Sequence, residues 1–286
     1  MAIELKKNYT ANLDEVLVNA SLTSDLLSDA ATAQEGNQAN EILVPMISMD
    51  GLGDIEANGN LTDGEVALRY ETMKFNYERG RKFQVKQITN EETADVVFGK
   101  LAAEFVRTKV VPEDDAVTFA TLSANAANTE TATLATGAEV IEAIRKATTK
   151  MDEAEVPAEQ RFLYITPTLK GLVDDLDTSK SRAVLDKFEK IIEVPQSRFY
   201  TAIDLKDGKS SEEKVGHYAK DVQGKDINFM IVYKPAVMKF FKQVAGNIIT
   251  PDENQNGYAY IQKYMKYGLI DIYENKQNGV FVNHKA

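Results

Sequence analysis

The sequence predicts an α+β fold, on three observations. A ribbon from Val66 to Val85 alternates apolar and charged residues, the period-two pattern of a strand with two unlike faces. A helical stripe follows, with Ala94, Phe98, Leu101 and Phe105 at helical spacing. The end of the chain then returns to β patterning, from Ile227–Tyr233 through Ala259, Ile261, Met265, Tyr267 and Leu269 at even spacing. With 286 residues and 43% hydrophobic content, the chain can form one large domain or two smaller ones.

Residues 1 to about 40 mix weakly amphipathic pieces with small polar residues. They read as an arm, with Leu13, Val16, Leu17 and Leu22 able to anchor it against a neighbour. Ile42–Ile47 is a short apolar strand, and Pro45 places it at an edge or bend. A Gly/Asp/Asn loop follows, from Met49 to Asn60. In the ribbon, Val66, Leu68 and Tyr70 share one face, and Glu65, Arg69 and Glu71 the other. The phase slips at Thr72-Met73, as at a β-bulge, so that Met73, Phe75 and Tyr77 continue the apolar face. A turn is expected near Arg79-Gly80-Arg81, after which Phe83 and Val85 resume the alternation.

Asn90 followed by Glu91-Glu92 starts a helix, since Asn caps and acids suit the positive end of the dipole. Pro112 interrupts the pattern and Glu113-Asp114-Asp115 restart it, giving one kinked helix or two stacked ones over 90–126. Asn125–Ala135 reads as a linker. Thr136 and Glu139 form a capping box before the stripe Val140, Ile141, Ile144, Ala147 and Met151. Phe162–Ile165 is a short buried strand, and Thr166-Pro167 opens another helix carrying Leu169, Leu172 and Val173. A helix at Ala183–Lys190 leads to strands at Ile191–Val194 and Phe199–Ile203, then to an exposed, charged loop over 205–225. Ala236–Phe241 fits strand or helix. Ile270–Tyr273 and Val280–Val282 should pair across the turn dipeptide Asn278-Gly279.

Composition removes several function classes. There are no cysteines, hence no disulfide, thiolate metal site or cysteine nucleophile. Only His217 and His284 could serve a Ser-His-Asp triad or a His-based zinc site, and both read as surface residues. Met1–Val16 lacks a signal-peptide pattern, and the apolar runs are too short to span a bilayer. A soluble protein, intracellular at synthesis and without a membrane partner, is expected. The net charge of −11 argues against coating nucleic acid with a basic surface, though it suits a wall around packed DNA.

The chemical motifs fail on inspection. Asp252–Gly257 matches half of an EF-hand loop, but its twelfth position is Lys263 rather than a bidentate Glu. Ser211-Glu212-Glu213-Lys214 fits S-x-x-K but lies in a charged loop without the buried lysine that chemistry needs. Gly51-Leu52-Gly53 lacks the third glycine of a dinucleotide fingerprint. The paired acids Asp114-Asp115 and Asp174-Asp175 could serve a hydrolase, but adjacent acids on helices usually face solvent or the helix dipole. No catalytic residue, metal or cofactor is predicted. The residues singled out are Phe75, Tyr77, Arg79, Arg81 and Lys82, an apolar and basic set suited to contact with an acidic second copy of the chain.

The stretch GLGDIEANGNLTDGEVALRYETMKFNYERGRKFQVKQITNEET resembles the extended loop and helix start of tailed-phage major capsid proteins with the HK97-type fold. The features that carry this are the Gly-rich loop, the ribbon, Glu78-Arg79-Gly80-Arg81-Lys82-Phe83-Gln84-Val85 and Asn90-Glu91-Glu92-Thr93. Phe105–Ala116 is similar to the family's spine-helix segment. Phe162–Pro167, Pro195–Ile203 and the final ribbon are similar to its axial domain.

The resemblance implies an N-terminal arm and the start of a peripheral domain over 1–44 and an extended β-hairpin loop over 45–85. It implies a peripheral domain with the spine helix over 86–128 and 227–265, and an axial domain over 129–226 and 266–286. It also implies hexamers and pentamers closing an icosahedral shell around double-stranded DNA bound without sequence preference. Portal, decoration and scaffolding proteins would be partners, and the location would be the virion, with assembly in the host cytoplasm. The chain begins almost at the arm, so scaffolding is expected to be absent, separate or already removed. An encapsulin-like compartment of the same fold and an α+β hydrolase are the competing readings.

Overall fold

The computed structural model describes residues 20–28, 34–35, 41–55, 61–87, 101, 103–176, 179–255 and 257–286. The expected anchors Leu13, Val16 and Leu17, the cap Asn90–Thr93, and Ala94 and Phe98 lie outside these residues.

The centre is a five-stranded sheet in the order β5-β13-β10-β6-β7: β5 (Asn128–Thr131), β13 (Val280–His284), β10 (Ile227–Tyr233), β6 (Arg161–Ile165) and β7 (Lys190–Glu193). The outer pairs are parallel and the inner ones antiparallel. Strands β6 and β10 are nearly unbroken apolar runs because both faces of the sheet are covered. On one face, Leu163, Ile165, Phe229, Ile231 and Phe281 pack beneath Val140, Ile144, Ala147 and Met151 of helix α2 (Gly137–Glu153) and Leu169 and Val173 of α3 (Pro167–Asp174). On the other, Phe162, Tyr164, Met230, Val232 and Val282 meet Phe119 and Leu122 of helix α1 (Val111–Asn125), with Leu26 and Phe199. The capping box starts α2 as read, with Thr136 Oγ1 accepting from Glu139 N–H and the Glu139 carboxylate accepting from Thr136 N–H. Helix α4 runs over Ser179–Leu185.

A second sheet, β11-β12-β4, joins β11 (Val237–Ile249), β12 (Ala259–Ile272) and β4 (Tyr77–Lys86). A third joins β1 (Gln34–Glu35), β2 (Glu41–Met49) and β3 (Val66–Lys74). Strands β8 (Ile203–Leu205) and β9 (Tyr218–Lys220) make a small hairpin within the charged loop. The EF-hand-like stretch falls between β11 and β12, and Asn256 within it lies outside the described residues.

Several expectations need correction. Strand β4 runs straight through Gly80, so there is no turn at 79–81. A Cβ at Gly80 would lie 2.8 Å from the Tyr264 carbonyl oxygen, so glycine serves close strand approach here. The register of β2 and β3 is unbroken at Thr72-Met73, so there is no bulge there. The phase changes because the chain leaves one sheet at Lys74 and enters another at Tyr77. Register shifts lie instead in β11, between Phe241 and Gln243, and in β10, between Ile227 and Phe229. Asn278-Gly279 ends a 3-10 turn, and β12 and β13 belong to different sheets. The supposed linker contains β5. The segment over 199–203 is mostly irregular, with Phe199 wholly buried. Residues 227–233, grouped above with the peripheral part, form the middle of the five-stranded sheet. Residues 266–272 continue β12 rather than joining that sheet.

Pro112 does not break its helix. The turn before it widens to i→i−5 bonding over Val106–Val110, with Val111 N–H donating to the Val106 carbonyl, and the helix continues. The acids that follow are buried, against expectation. Asp115 is wholly enclosed. It accepts from Arg198 Nη1 at 2.9 Å, Thr23 Oγ1 at 2.6 Å and the backbone N–H groups of Leu22 and Thr23. Asp114 Oδ2 lies 3.0 Å from Lys239 Nζ and 3.3 Å from Lys266 Nζ. Glu113 Oε1 is 2.8 Å from Arg79 Nε. Leu22, expected to reach a neighbour, packs on this subunit's own core.

Asp115→Ala removes the carboxylate that the buried Arg198 guanidinium meets at 2.9 Å. It should therefore lower unfolding stability in urea by about 3–5 kcal/mol. A loss below about 1 kcal/mol would mean that the pair is not a structural tie.

Candidate assembly surfaces

Pairing of β2 with β3 builds a projecting hairpin whose two faces follow from register. Leu43, Pro45, Ile47 and Met49 stand opposite Thr72, Tyr70, Leu68 and Val66, so these eight side chains share a face. Ile42, Val44, Met46 and Ser48 share the other face with Met73, Glu71, Arg69 and Ala67. The second face is fastened to the body near its base. Ile42 and Met73 are buried against Met238 and Leu269. Arg69 Nη2 lies 3.2 Å from Glu274 Oε2, and Glu71 accepts from Glu274 N–H. Burial, with the carboxylates of Glu274 and Asp271 nearby, raises the pKa of Glu71.

Among the described residues, the first face has no such cover. Ile47, Met49, Val66, Leu68 and Tyr70 are each more than half exposed, and Leu52, Ile55 and Leu61 extend the apolar surface toward the tip. This is a contiguous apolar stripe on a two-stranded projection, unlike the isolated exposed apolar residues of ordinary surfaces. Pro45 sits where β2 has β3 on one side only, beyond the short pairing of β1 with Leu43 and Ile42.

Phe75 and Asn76 form the elbow between the hairpin and β4. Asn76 Nδ2 donates to the Ile270 carbonyl at 2.7 Å, and its Oδ1 accepts from Ile270 N–H at 3.1 Å. The carboxamide thus takes the place of a strand residue where the ladder is interrupted. The ring of Phe75 stacks on Tyr267, with centroids 4.8 Å apart.

The residues singled out from sequence therefore separate. Tyr77 is buried in this subunit's own core beside Val117 and Ile270, and its hydroxyl donates to Glu113 Oε1. Burial and the neighbouring acids push its pKa upward. Arg79 is held by Glu113 and also donates to the His217 carbonyl. Arg81 donates to the Lys214 carbonyl at 2.8 Å, and its guanidinium lies between Gly208 and Gly216 at the neck of the charged loop. Lys82 is exposed on β4, opposite Lys263. Tyr77 is therefore not available to a partner. The exposed apolar face consists of Val66, Leu68 and Tyr70, together with β2 residues that sequence reasoning treated as an ordinary strand. The signal was present: Pro45, Ile47 and Met49 alternate in step with them.

Glu113 joins three elements. Desolvation would raise its pKa, but the His217 ring beside it and the hydrogen bonds and charge of Arg79 outweigh it, so the pKa is lowered. His217 Nδ1 is 3.5 Å from Glu113 Oε2. His217 also has a positive φ, which places the loop end in a left-handed bend.

No protein-family model matches the chain, and no curated protein matches it. Solved structures do. The asymmetric unit of the bacteriophage PhiM1 mature capsid aligns with TM-score 0.67 and 12% identity, covering 99% of this chain and 92% of that one. The capsid structure of the cyanophage P-SCSP1u gives 0.64 and 11%, covering 98% and 93%. The capsid of the Myoviridae phage XM1 gives 0.63 and 12%, covering 100% and 99%. The chain thus has the fold of these phage capsid chains over almost its whole length, in agreement with the HK97-type α+β architecture that the sequence resemblance implies.

Two predictions follow from the geometry. Because Glu113 is acidified on folding, its stabilising contribution is complete above the unfolded carboxyl pKa of 4.5 and disappears as pH falls through the lower folded value. In urea titrations from about pH 6 to about pH 3, Glu113→Gln should lose less stability on acidification than the parent chain. Parallel curves would refute this. Tyr77→Asp should unfold the subunit, at a cost of roughly 3–5 kcal/mol as for other buried aromatics, which circular dichroism would register.

Proposed function

We propose that the chain is a major capsid protein that assembles through copies of itself into hexamers and pentamers of an icosahedral shell around double-stranded DNA. The observation that carries this reading is the uncovered apolar face of the β2–β3 hairpin, on a chain whose fold matches phage capsid chains end to end. Such a face gains by burial at about 25 cal/mol per Å². A hairpin that projects can reach apolar surface on a second copy without enlarging its own core. Many modest contacts per subunit then add up to a stable shell.

In this reading the β2–β3 hairpin is the extended loop. Strands β4, β11 and β12 with α1 form the peripheral part, and the five-stranded sheet with α2 and α3 forms the axial part. The chain acts structurally rather than as an enzyme. It resides in the virion after assembly in the host cytoplasm, with portal, scaffolding and decoration proteins as further partners. The acidic balance of −11 suits a wall that does not hold its contents by charge.

Ile47→Asp with Leu68→Asp places two charges on the uncovered face. The doubly substituted chain should keep the circular dichroism and urea midpoint of the parent but fail to form shells in negative stain or large species in light scattering. Normal shells from this variant would overturn the assignment of this face. A parent chain that stays monomeric with its scaffolding partner would overturn the capsid reading itself.

A further inference from the structure

The tip of the hairpin carries charge of one sign. Between Met49 and Arg69 stand Asp50, Asp54, Glu56, Asp63 and Glu65, with no lysine or arginine among them. Asp50 is occupied within the tip, accepting from Glu65 N–H at 2.9 Å. Asp54, Asp63 and Glu65 are exposed, and among the described residues none of them has an ion pair. Leu52, Ile55 and Leu61 are interspersed with these acids, and each is more than half exposed.

The opposite sign gathers on one face of the long sheet. In the pairing of β12 with β4, Lys263 stands directly across from Lys82, and Lys86 points to the same side further along β4. All three are exposed, and among the described residues none has an ion pair. Like charges directly opposite on neighbouring strands repel, so this pair weakens the sheet of an isolated subunit. The adjoining positions on the same face are uncharged: Gly80 stands across from Met265, and Gln84 from Ile261. The one acid of β4, Glu78, lies beyond Gly80, opposite Tyr267.

We propose that the acidic, apolar hairpin tip of one copy docks on the lysine face of β4 and β12 in a second copy. This rests on the self-assembly reading above and adds to it the surface that receives the hairpin. Carboxylates of the tip supply the charge that Lys82 and Lys263 lack, and its exposed leucine and isoleucine side chains cover the uncharged surface beside them. Within one copy the base of the hairpin is held by Ile42, Met73 and Glu274. The tip meets no cation there among the described residues, so both sets of charges find partners only between copies. Nucleic-acid phosphates would also suit the lysines, but they would leave the acids of the tip unmatched, which favours the protein partner.

The test uses the full chain under assembly conditions, as a mixture of isotope-labelled and unlabelled copies. A water-soluble carbodiimide joins a lysine amine to a neighbouring carboxylate as an amide, the reagent taking up the water released. Peptide mass spectrometry should find Lys82 or Lys263 joined to Asp54, Asp63 or Glu65, with labelled and unlabelled peptides combined, in shells and smaller oligomers alike. No such link, or links only within one copy, would overturn the proposal without any variant having to fold. Lys82→Glu with Lys263→Glu, and separately Asp54→Lys with Asp63→Lys, should each slow assembly several-fold while keeping the circular dichroism of the parent. All four substitutions together should recover the parent's rate, because attraction returns with the signs exchanged. Pairs that assemble like the parent, or a fourfold variant no faster than either pair, would refute the docking. Loss of DNA binding with normal assembly in the Lys82/Lys263 variant would assign the lysine face to nucleic acid instead. Any of these failures in a chain that still builds shells leaves the capsid reading standing.

Discussion

Three adjacent carboxylates on one helix hold the subunit together. Successive residues on an α-helix point about 100° apart, so Glu113, Asp114 and Asp115 face three different directions from one turn. Asp115 takes in the N-terminal segment at Leu22 and Thr23, together with Arg198. Asp114 takes Lys239 of β11 and Lys266 of β12. Glu113 takes Arg79 of β4 and faces the end of the charged loop at His217. Buried charges tolerate little misplacement, because each depends on its partner for the hydration it has lost. The triplet therefore fixes where the long sheet, the N-terminal segment and the turn carrying Arg198 meet α1, and apolar packing by Phe119 and Leu122 seats the five-stranded sheet against it.

That constraint also determines what is left outside. Strand β4 is held by Tyr77 and Arg79 at its start, so the chain immediately before it must turn away at Phe75-Asn76. Asn76 continues the hydrogen bonding to Ile270 at the point where the strand stops. The hairpin then leaves the body with its Met73 face downward and its Leu68 face uncovered. A charged residue on that uncovered face would ease its exposure to water in an isolated subunit. Along the middle of the hairpin the charges instead lie on the opposite face, at Arg69 and Glu71, where they meet Glu274, and the uncovered face carries the Lys74–Glu41 pair at its base. This arrangement suits a face that is exposed only until another copy covers it.

Where the sequence could be read, local chemistry was decisive. The Thr136–Glu139 capping box, Pro167 at a helix start and the apolar runs at Phe162–Ile165 and Ile227–Tyr233 each act within a few residues, and each appears in the fold. The failures concern long-range pairing. The period slip at Thr72-Met73 is genuine in the sequence, but a change of sheet produces it as readily as a bulge does. Gly80 looked like a turn because glycine permits turns, whereas here it admits the Tyr264 backbone from a strand nearly two hundred positions away. Glu113-Asp114-Asp115 looked like a solvated helix start, since their partners, Arg79, Arg198, Lys239 and Lys266, are distant in sequence and invisible to periodicity. Tyr77 was placed on the shared surface by the same misjudged phase. Val66, Leu68 and Tyr70 were on one face as read, and only pairing with β2 showed that the face is uncovered.

The two kinds of interaction suit two different tasks, fixing the subunit and joining it to others. Ion pairs and hydrogen bonds are directional and fix one geometry, so they are found inside the subunit, at α1. Apolar burial is nearly indifferent to angle and scales with the area removed from water. A shell of hexamers and pentamers asks one chain to make slightly different contacts in different positions, and a ribbon bearing an apolar stripe accommodates such differences better than a set of buried charges. The Asn76 elbow and the Glu274 contacts hold the base of the hairpin to the body, so the outer part of the ribbon, beyond Arg69, is where that variation would be absorbed.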